Sequence, residues 1–382
     1  MDLYQHQQIL STIRGKTVEI PDIRFVLSKW PRRVNLNYSS VIATADQTIE
    51  SVFQDDKKIQ NLKSANLALF ASMSFPDAAI DELEILTLWV IWIYMWDDEV
   101  DEPNGLYTNN LESGNLYRKQ TLNFAEYHLG LGEHGEVPTS PNPIIDSFRP
   151  IGQRFQKCYS VEQCQLVFEE LKFAMQMSRE EQQARLSDKI PTVNEYMRVR
   201  MGSSGVGLLL TALEYVSILS LPSADSVAQV LKPRSTVLLT RYGLLVLSLR
   251  AHILGHCGMR QMSSSGCEPN NFLSNDILSL KKKVAADWLA NLVSLTFIDC
   301  GDLQKAVDMA YAALVAAIDR FEAAAKELLL HPESLTVPEE EAKSLVGGLR
   351  DAWVGLIYWQ YESRRYFPPD ADIRDGHISV TI

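Results

Sequence analysis

From about residue 40 onward apolar positions recur at helical spacing, and the alternation typical of strands is almost absent. The period predicts helices over about 78–97, 113–129, 144–186 and 191–220, another running to about 257, and others over 271–296, 302–330 and 338–366. Turn-forming and polar stretches separate them: "PNGLYTNNLE" (103–112), "GLGEHGEVPTSPNP" (130–143), "LPSADS" (221–226) and "GMRQMSSSGCEPNN" (258–271). The ends, about 1–40 and 368–382, lack the pattern and are expected to be irregular. No repeat and no linker divides the chain, so the expected fold is all-α, one domain of about ten helices.

One helix stands apart. Residues 78–97 begin beside Pro76-Asp77, a cap-like opening, and their first half is amphipathic. Their second half, "LTLWVIWIYM", is apolar on every face, which marks an interior helix. It runs straight into "WDDEVDE" (96–102). Wholly apolar helices in a bundle imply a thick core or an apolar cavity at its centre.

Composition changes this picture little. The 382 residues are 46% hydrophobic and 22% charged, ordinary for a soluble globular protein. A net charge of −12 argues against a nucleic-acid partner, which needs a basic face. The five cysteines are scattered, with no disulfide framework or four-cysteine metal knuckle, and a reduced compartment is expected. The start "MDLYQHQQIL" does not read as a secretion signal, so a cytoplasmic location is expected. The longest apolar runs, 205–221 and 235–249, are interrupted by Glu214 and Arg241 and are too short to span a bilayer; no membrane insertion is expected.

Four segments carry candidate chemistry. In the acidic stretch Asp97 and Asp101 share a helix face, with Asp98 and Glu102 as a neighbouring pair. Such charges repel and are costly to bury unless a hard divalent cation binds them; a helix end frayed into solvent is the competing reading, weakened because acids oppose the dipole at a C-terminus. In "NDILSLKKK" (275–283) Asn275 and Ser279 stand at i, i+4 with neutral oxygens, beside Asp276 and three lysines. The alternative there is a capped helix start with a solvated basic end. In "EYMRVRMGSSGVG" (195–207) Arg200 precedes small residues that interrupt a helix, which suggests a kink or backbone brought near a ligand. In "WQYESRRYF" (359–367) arginines offer forks for phosphate oxygens, or surface ion pairs.

Together these segments resemble the class I terpene synthases of the microbial and fungal single-domain type. "DDEVDE" is similar to the family's Asp-rich box, and "NDILSLKKK" to its Asn-Asp-x-x-Ser-x-x-x-Glu motif in all but the last position. Arg200 fits the diphosphate-sensing arginine, Arg365-Tyr366 the C-terminal pair, and Lys282 the lysine before the motif's final Glu. The resemblance implies a helical bundle around a central apolar cavity and a Mg²⁺-dependent cyclisation of a prenyl diphosphate. Farnesyl diphosphate to a sesquiterpene is the first expectation, and geranylgeranyl diphosphate to a diterpene the second. It implies up to three Mg²⁺ ions held by Asp97, Asp98 and Asp101 on one side and Asn275 and Ser279 on the other. Arg200, Lys282, Arg365 and Tyr366 would clamp the diphosphate, with Asp97, Arg200, Arg365 and Tyr366 as the catalytic group. A homodimer is also possible by resemblance.

At position 283 the family's Glu is replaced by Lys283. An ammonium cannot ligate Mg²⁺ and repels it. Either Asn275 and Ser279 keep the second metal site with water, or Lys283 binds diphosphate directly, or the protein is catalytically impaired and only binds prenyl diphosphates. A carbocation needs an apolar, electron-rich wall, which aromatic faces supply. Candidates are Phe75, Trp89, Trp92, Tyr94, Trp96 and Trp359, with Phe75 and Trp359 favoured; the Met and Phe residues of 63–77 otherwise read as core. "HILGHC" places His252 and His256 at i, i+4 near Cys257 and Cys267, a weaker zinc pattern that lacks a metalloprotease Glu.

Overall fold

The structure, a computed structural model, describes residues 3–132, 138–187, 189–219, 271–330, 339–366, 373–374 and 376–382. It is an α-helical bundle with a small sheet where the two ends of the chain meet. The helices are α1 (Leu3–Ile13), α2 (Tyr38–Val52), α3 (Asp56–Ser64), α4 (Leu67–Ser74), α5 (Ile80–Asp101) and α6 (Leu111–His128). The middle of the chain holds α7 (Pro143–Asp146), α8 (Arg149–Cys158), α9 (Val161–Leu186), α10 (Val193–Ser203) and α11 (Val206–Leu219). Then follow α12 (Asn271–Ala285), α13 (Leu292–Cys300), α14 (Leu303–Leu330) and α15 (Glu339–Glu362). The zinc pattern at His252, His256, Cys257 and Cys267 lies outside the described residues.

Helix α5 is the axis of the bundle. Leu83, Leu86, Trp89, Val90, Ile91, Trp92 and Met95 are all buried, as a helix apolar on every side requires. Neighbouring helices α2, α4, α8 and α11 surround it. Its start is capped by Glu82, whose carboxylate accepts the Ala79 N–H at 2.9 Å. Asp77, which the sequence suggested for that end, instead takes both forks of Arg33 at 2.8 Å. The helix runs four residues past the expected end, so most of the acidic stretch is helical. The Glu99 carboxylate pins the following turn by accepting the Leu106 N–H at 2.9 Å, and Lys58 pairs with it.

Three long helical patterns are broken. Residues 144–186 divide into α7, α8 and α9, the last opened by a Ser160–Gln163 capping box. Residues 191–220 break at Ser204-Gly205, where Gly205 adopts φ +71°, a left-handed turn that favours glycine. Residues 271–296 break between α12 and α13, where Asn291 caps α13 through the N–H groups of Val293 and Ser294.

The chain ends are more ordered than their pattern suggested. Strand β1 (Thr17–Pro21), β2 (Ile373–Arg374) and β3 (His377–Thr381) form an antiparallel sheet of order β1-β3-β2, with Thr17 opposite Thr381 and Pro21 opposite His377. Val18, Ile20, Ile378 and Val380 turn inward and Leu10 and Ile13 of α1 are buried. These stretches are too short for periodicity to reveal, since neither strand buries its apolar side without the other.

Candidate active site

The C-terminal end of α5, the α10–α11 break, the inner face of α12 and the end of α15 enclose one cavity. The close approach of α10 to α9 depends on Gly202, where a Cβ would lie 2.5 Å from the Met177 side chain. The break then turns the Ser203 and Ser204 hydroxyls onto the cavity, buried and with no hydrogen-bond partner among the described residues.

The acidic stretch is spread around the rim with unequal partners. Asp98 accepts two bonds from Arg365, at 2.5 and 3.2 Å. Glu102 pairs with Lys282 and more distantly with Arg365, at 3.5 Å. Asp101 takes Lys283 at 2.8 Å and Arg185 at 3.1 Å. Burial would raise Asp101, but Lys283 and Arg185 hold its carboxyl below the ordinary carboxylate range. Asp97 lines the cavity and has no ion pair among the described residues. Burial, and then the charges of Asp101, Asp98 and Glu181, push its carboxyl up to about 8.

Opposite stand the cations and neutral oxygens expected from sequence. Arg200 lies 3.4 Å from the Asn275 Oδ1, with Glu181 at 3.8 Å and Asp276 at 3.9 Å. Burial opposes its charge, yet Tyr196, Glu181 and Asp276 keep it firmly protonated. Asn275 donates to the Tyr366 hydroxyl at 2.8 Å. The Ser279 hydroxyl is buried on the cavity wall without a hydrogen-bond partner among the described residues. Burial and Arg365 lower Lys282 against the pull of Glu102 and Asp98. Asp276, beside Asn275 in sequence, serves the scaffold: it accepts from the Tyr196 hydroxyl at 2.8 and 2.7 Å and from the Leu292 N–H at 3.0 Å.

Among the described residues no three His, Cys, Asp or Glu side chains form a metal group. At the rim Asp98, Asp101 and Glu102 are engaged by cations. On this cavity Asp97 is a carboxylate without an ion pair among the described residues, and it shares the lining with the oxygens of Asn275 and Ser279. That donor set fits Mg²⁺, a hard cation that takes one or two carboxylates and fills its shell with water and phosphate oxygens.

The aromatic wall differs from expectation. Trp92, Tyr94 and Trp96 reach the cavity, but Phe75, Trp89 and Trp359 are not on its lining. Trp359 lies behind Phe70, the rings stacked at 4.9 Å, and its indole N–H bonds the Ala65 carbonyl at 2.6 Å. Phe70, which had read as core, is therefore the residue presented to the cavity. Trp89 points away, packing on Phe148 and Phe155 and donating to the Leu208 carbonyl. Phe75 is buried at the end of α4.

Sequence reasoning also missed Arg185, Glu181 and Trp288. Arg185 and Glu181 stand four apart on α9, on a face with buried Ser178 and Gln182. The charge-rich run "SREEQQARL" looks like a solvated helix surface. Its i, i+4 spacing of charged and amide groups was the available signal.

A family model described as "Terpene synthase family 2, C-terminal metal binding" matches residues 88–320. The sesquiterpene cyclase hepA of Aspergillus oryzae is 27% identical over 95% of this chain and 93% of its own length. The terpene cyclase braA of Annulohypoxylon truncatum is 23% identical over 94% and 88%. In structure the chain is similar to the linalool/nerolidol synthase from Streptomyces clavuligerus, solved with 2-fluorogeranyl diphosphate. That likeness has a TM-score of 0.63 and 15% identity, and covers 88% of this chain and 98% of the other.

Proposed function

The chain belongs to the terpene synthase family as a class I terpene cyclase, and from that premise we propose that it converts farnesyl diphosphate to a cyclic sesquiterpene with release of diphosphate. The observation that most supports this is the division of one cavity into two chemistries. Phe70, Trp92, Tyr94, Leu171 and Leu209 give it apolar and aromatic lining, while Asp97, Arg200, Lys282, Arg365 and Tyr366 give it charged and polar groups.

The C–O bond of the allylic diphosphate breaks heterolytically and the leaving group takes the electron pair. Asp97, with Asn275 and Ser279, would hold Mg²⁺, which would supply Lewis-acid stabilisation of that leaving group. Arg200, Lys282 and Arg365 direct N–H donors to the oxygens on which charge develops. To do so Lys282 exchanges Glu102, and Arg365 exchanges Asp98, for diphosphate oxygens. Phe70, Trp92, Tyr94 and Trp96 offer aromatic faces to the cation and exclude water. Tyr94 joins the two ends, since the Arg365 guanidinium already lies 5.0 Å from its ring centre.

Purified protein incubated with farnesyl diphosphate and Mg²⁺ is expected to yield a cyclic C15 product by gas chromatography–mass spectrometry, and none with EDTA. A product only from geranylgeranyl diphosphate would assign a diterpene cyclase instead. No terpene from any prenyl diphosphate would overturn the enzymatic reading and leave a binding protein.

A further inference from the structure

Lys283 occupies an unusual place for a lysine. Its ammonium lines the cavity, is largely buried, and is held from two sides: by the Asp101 carboxylate at 2.8 Å and by the Trp288 ring, 4.6 Å from its centre. The Arg185 guanidinium lies 4.6 Å from the same ring and shares Asp101. Burial opposes the ammonium charge, but Asp101 and Glu181 more than restore it. The result is a fixed positive charge on the wall that also carries Asn275 and Ser279.

From this arrangement we infer that Lys283 is a diphosphate-binding residue that takes the place of a divalent ion. It withholds Asp101 from metal ligation and donates to diphosphate oxygens, so that the chain loads one fewer divalent ion with diphosphate than the variant Lys283→Glu. The charge balance carries the second half of this statement. Replacing the ammonium by a carboxylate changes the local charge by two units, the charge of one divalent ion. It also places a second carboxylate, at 283, beside that of Asp101, whose remaining ion-pair partner is Arg185 among the described residues. A hard cation is the ordinary way to relieve such a pair. Trp288 and Arg185 make the present geometry a built one, since they position the ammonium independently of any ligand.

The inference rests on the diphosphate reading above, but its test does not need turnover. Full-length protein is titrated with inorganic pyrophosphate and Mn²⁺, counting bound Mn²⁺ from the loss of free-ion electron paramagnetic resonance and bound pyrophosphate by equilibrium dialysis. Lys283→Glu is expected to bind one more Mn²⁺ per pyrophosphate than the natural protein. Lys283→Ala, in which Arg185 still engages Asp101 and no carboxylate is added, is expected to bind the natural number and to lose roughly 10-fold in pyrophosphate affinity, about one charge-assisted hydrogen bond. Circular dichroism confirms that each variant is folded, and Lys283→Gln repeats the affinity arm should the alanine variant not fold. Equal Mn²⁺ counts in the natural protein and Lys283→Glu would overturn the inference. So would unchanged pyrophosphate affinity in both neutral variants, or no binding by the natural protein. Binding as expected without any terpene product would instead sink the proposed function and leave Lys283's role intact.

Discussion

Two aspartates separated by the cavity illustrate how little residue type alone decides. Asp97 ends the apolar helix α5, lines the cavity and has no cationic partner among the described residues, so its carboxyl is pushed up to about 8. Asp276 sits in the second motif, more deeply buried, but its oxygens accept from the Tyr196 hydroxyl and the Leu292 N–H, and it ties α12 to α10 and α13. One carboxylate is left wanting a ligand; the other has been used to build the wall that holds Asn275 in place. A motif letter becomes chemistry only when its oxygens are left uncommitted.

The strongest test of that contrast is Asp97→Asn. It is expected to lower turnover of farnesyl diphosphate by on the order of 10³-fold, the loss typical of a preorganised electrostatic group. The same variant is expected to be more stable than the natural protein in metal-free buffer near neutral pH, because folding no longer has to protonate a carboxylate that is ionised in the unfolded chain. The pH dependence separates this from a general effect. The Asp97 carboxyl titrates near about 8 in the fold, against about 3.9 in an unfolded chain. Its stabilising contribution is thus fully present below the unfolded value and is lost as pH rises through the folded one. Asp101, held low by Lys283 and Arg185, has the opposite sign, and its contribution fades only on acidification. Asp276, raised by burial, adds slope of the same sign as Asp97. The informative quantity is therefore the difference between proteins: from pH 5 to 8 with EDTA, the melting temperature of the natural protein should fall more steeply than that of Asp97→Asn. Parallel curves would remove Asp97 from its special position.

The cavity wall offers a second contrast of the same kind. Trp359→Ala removes a fully buried ring from behind Phe70 and is expected to destabilise by about 3–5 kcal/mol. Phe70→Ala, at the surface of the cavity, is expected to change the distribution of terpene products more than Trp359→Phe does. Product profiles and thermal melts together decide the matter; equal product shifts from Phe70→Ala and Trp359→Phe would return Trp359 to the wall.

These contrasts mark what was legible in the sequence. The period of apolar residues disclosed the helical bundle, and the all-apolar half of α5 disclosed its axis. The charged motifs named Asp97, Arg200, Asn275, Ser279, Lys282 and Arg365, which the fold brings to one cavity. Which aromatic faces the cavity was not legible, because Phe70 and Trp359 lie on different helices and only their packing decides which ring stands in front. Nor were the ion pairs. Arg185 and Asp101 are distant in sequence, and α9 hides its polar inner face among ordinary surface charges. The strands at the chain ends escaped for a related reason: each is too short to declare itself without its partner.

The smallest expected effect bears on Asp276. Asp276→Asn keeps the shape but weakens two hydrogen bonds and is expected to lower stability by about 1–3 kcal/mol, the range for disturbing a buried polar group. Tyr196→Phe removes one donor only, leaves the Leu292 N–H in place, and should lower stability by about 1 kcal/mol. If the tyrosine acts chiefly through this carboxylate, the double variant should fall short of the sum of the two, because neighbours sharing one network are not additive. Denaturant melts of the four proteins measure that coupling. Mn²⁺ binding with pyrophosphate should remain in both single variants, in contrast to Asp97→Asn. Loss of Mn²⁺ in Asp276→Asn with Tyr196→Phe unaffected would mean that Asp276 turns towards the metal, and the difference between the two aspartates would disappear.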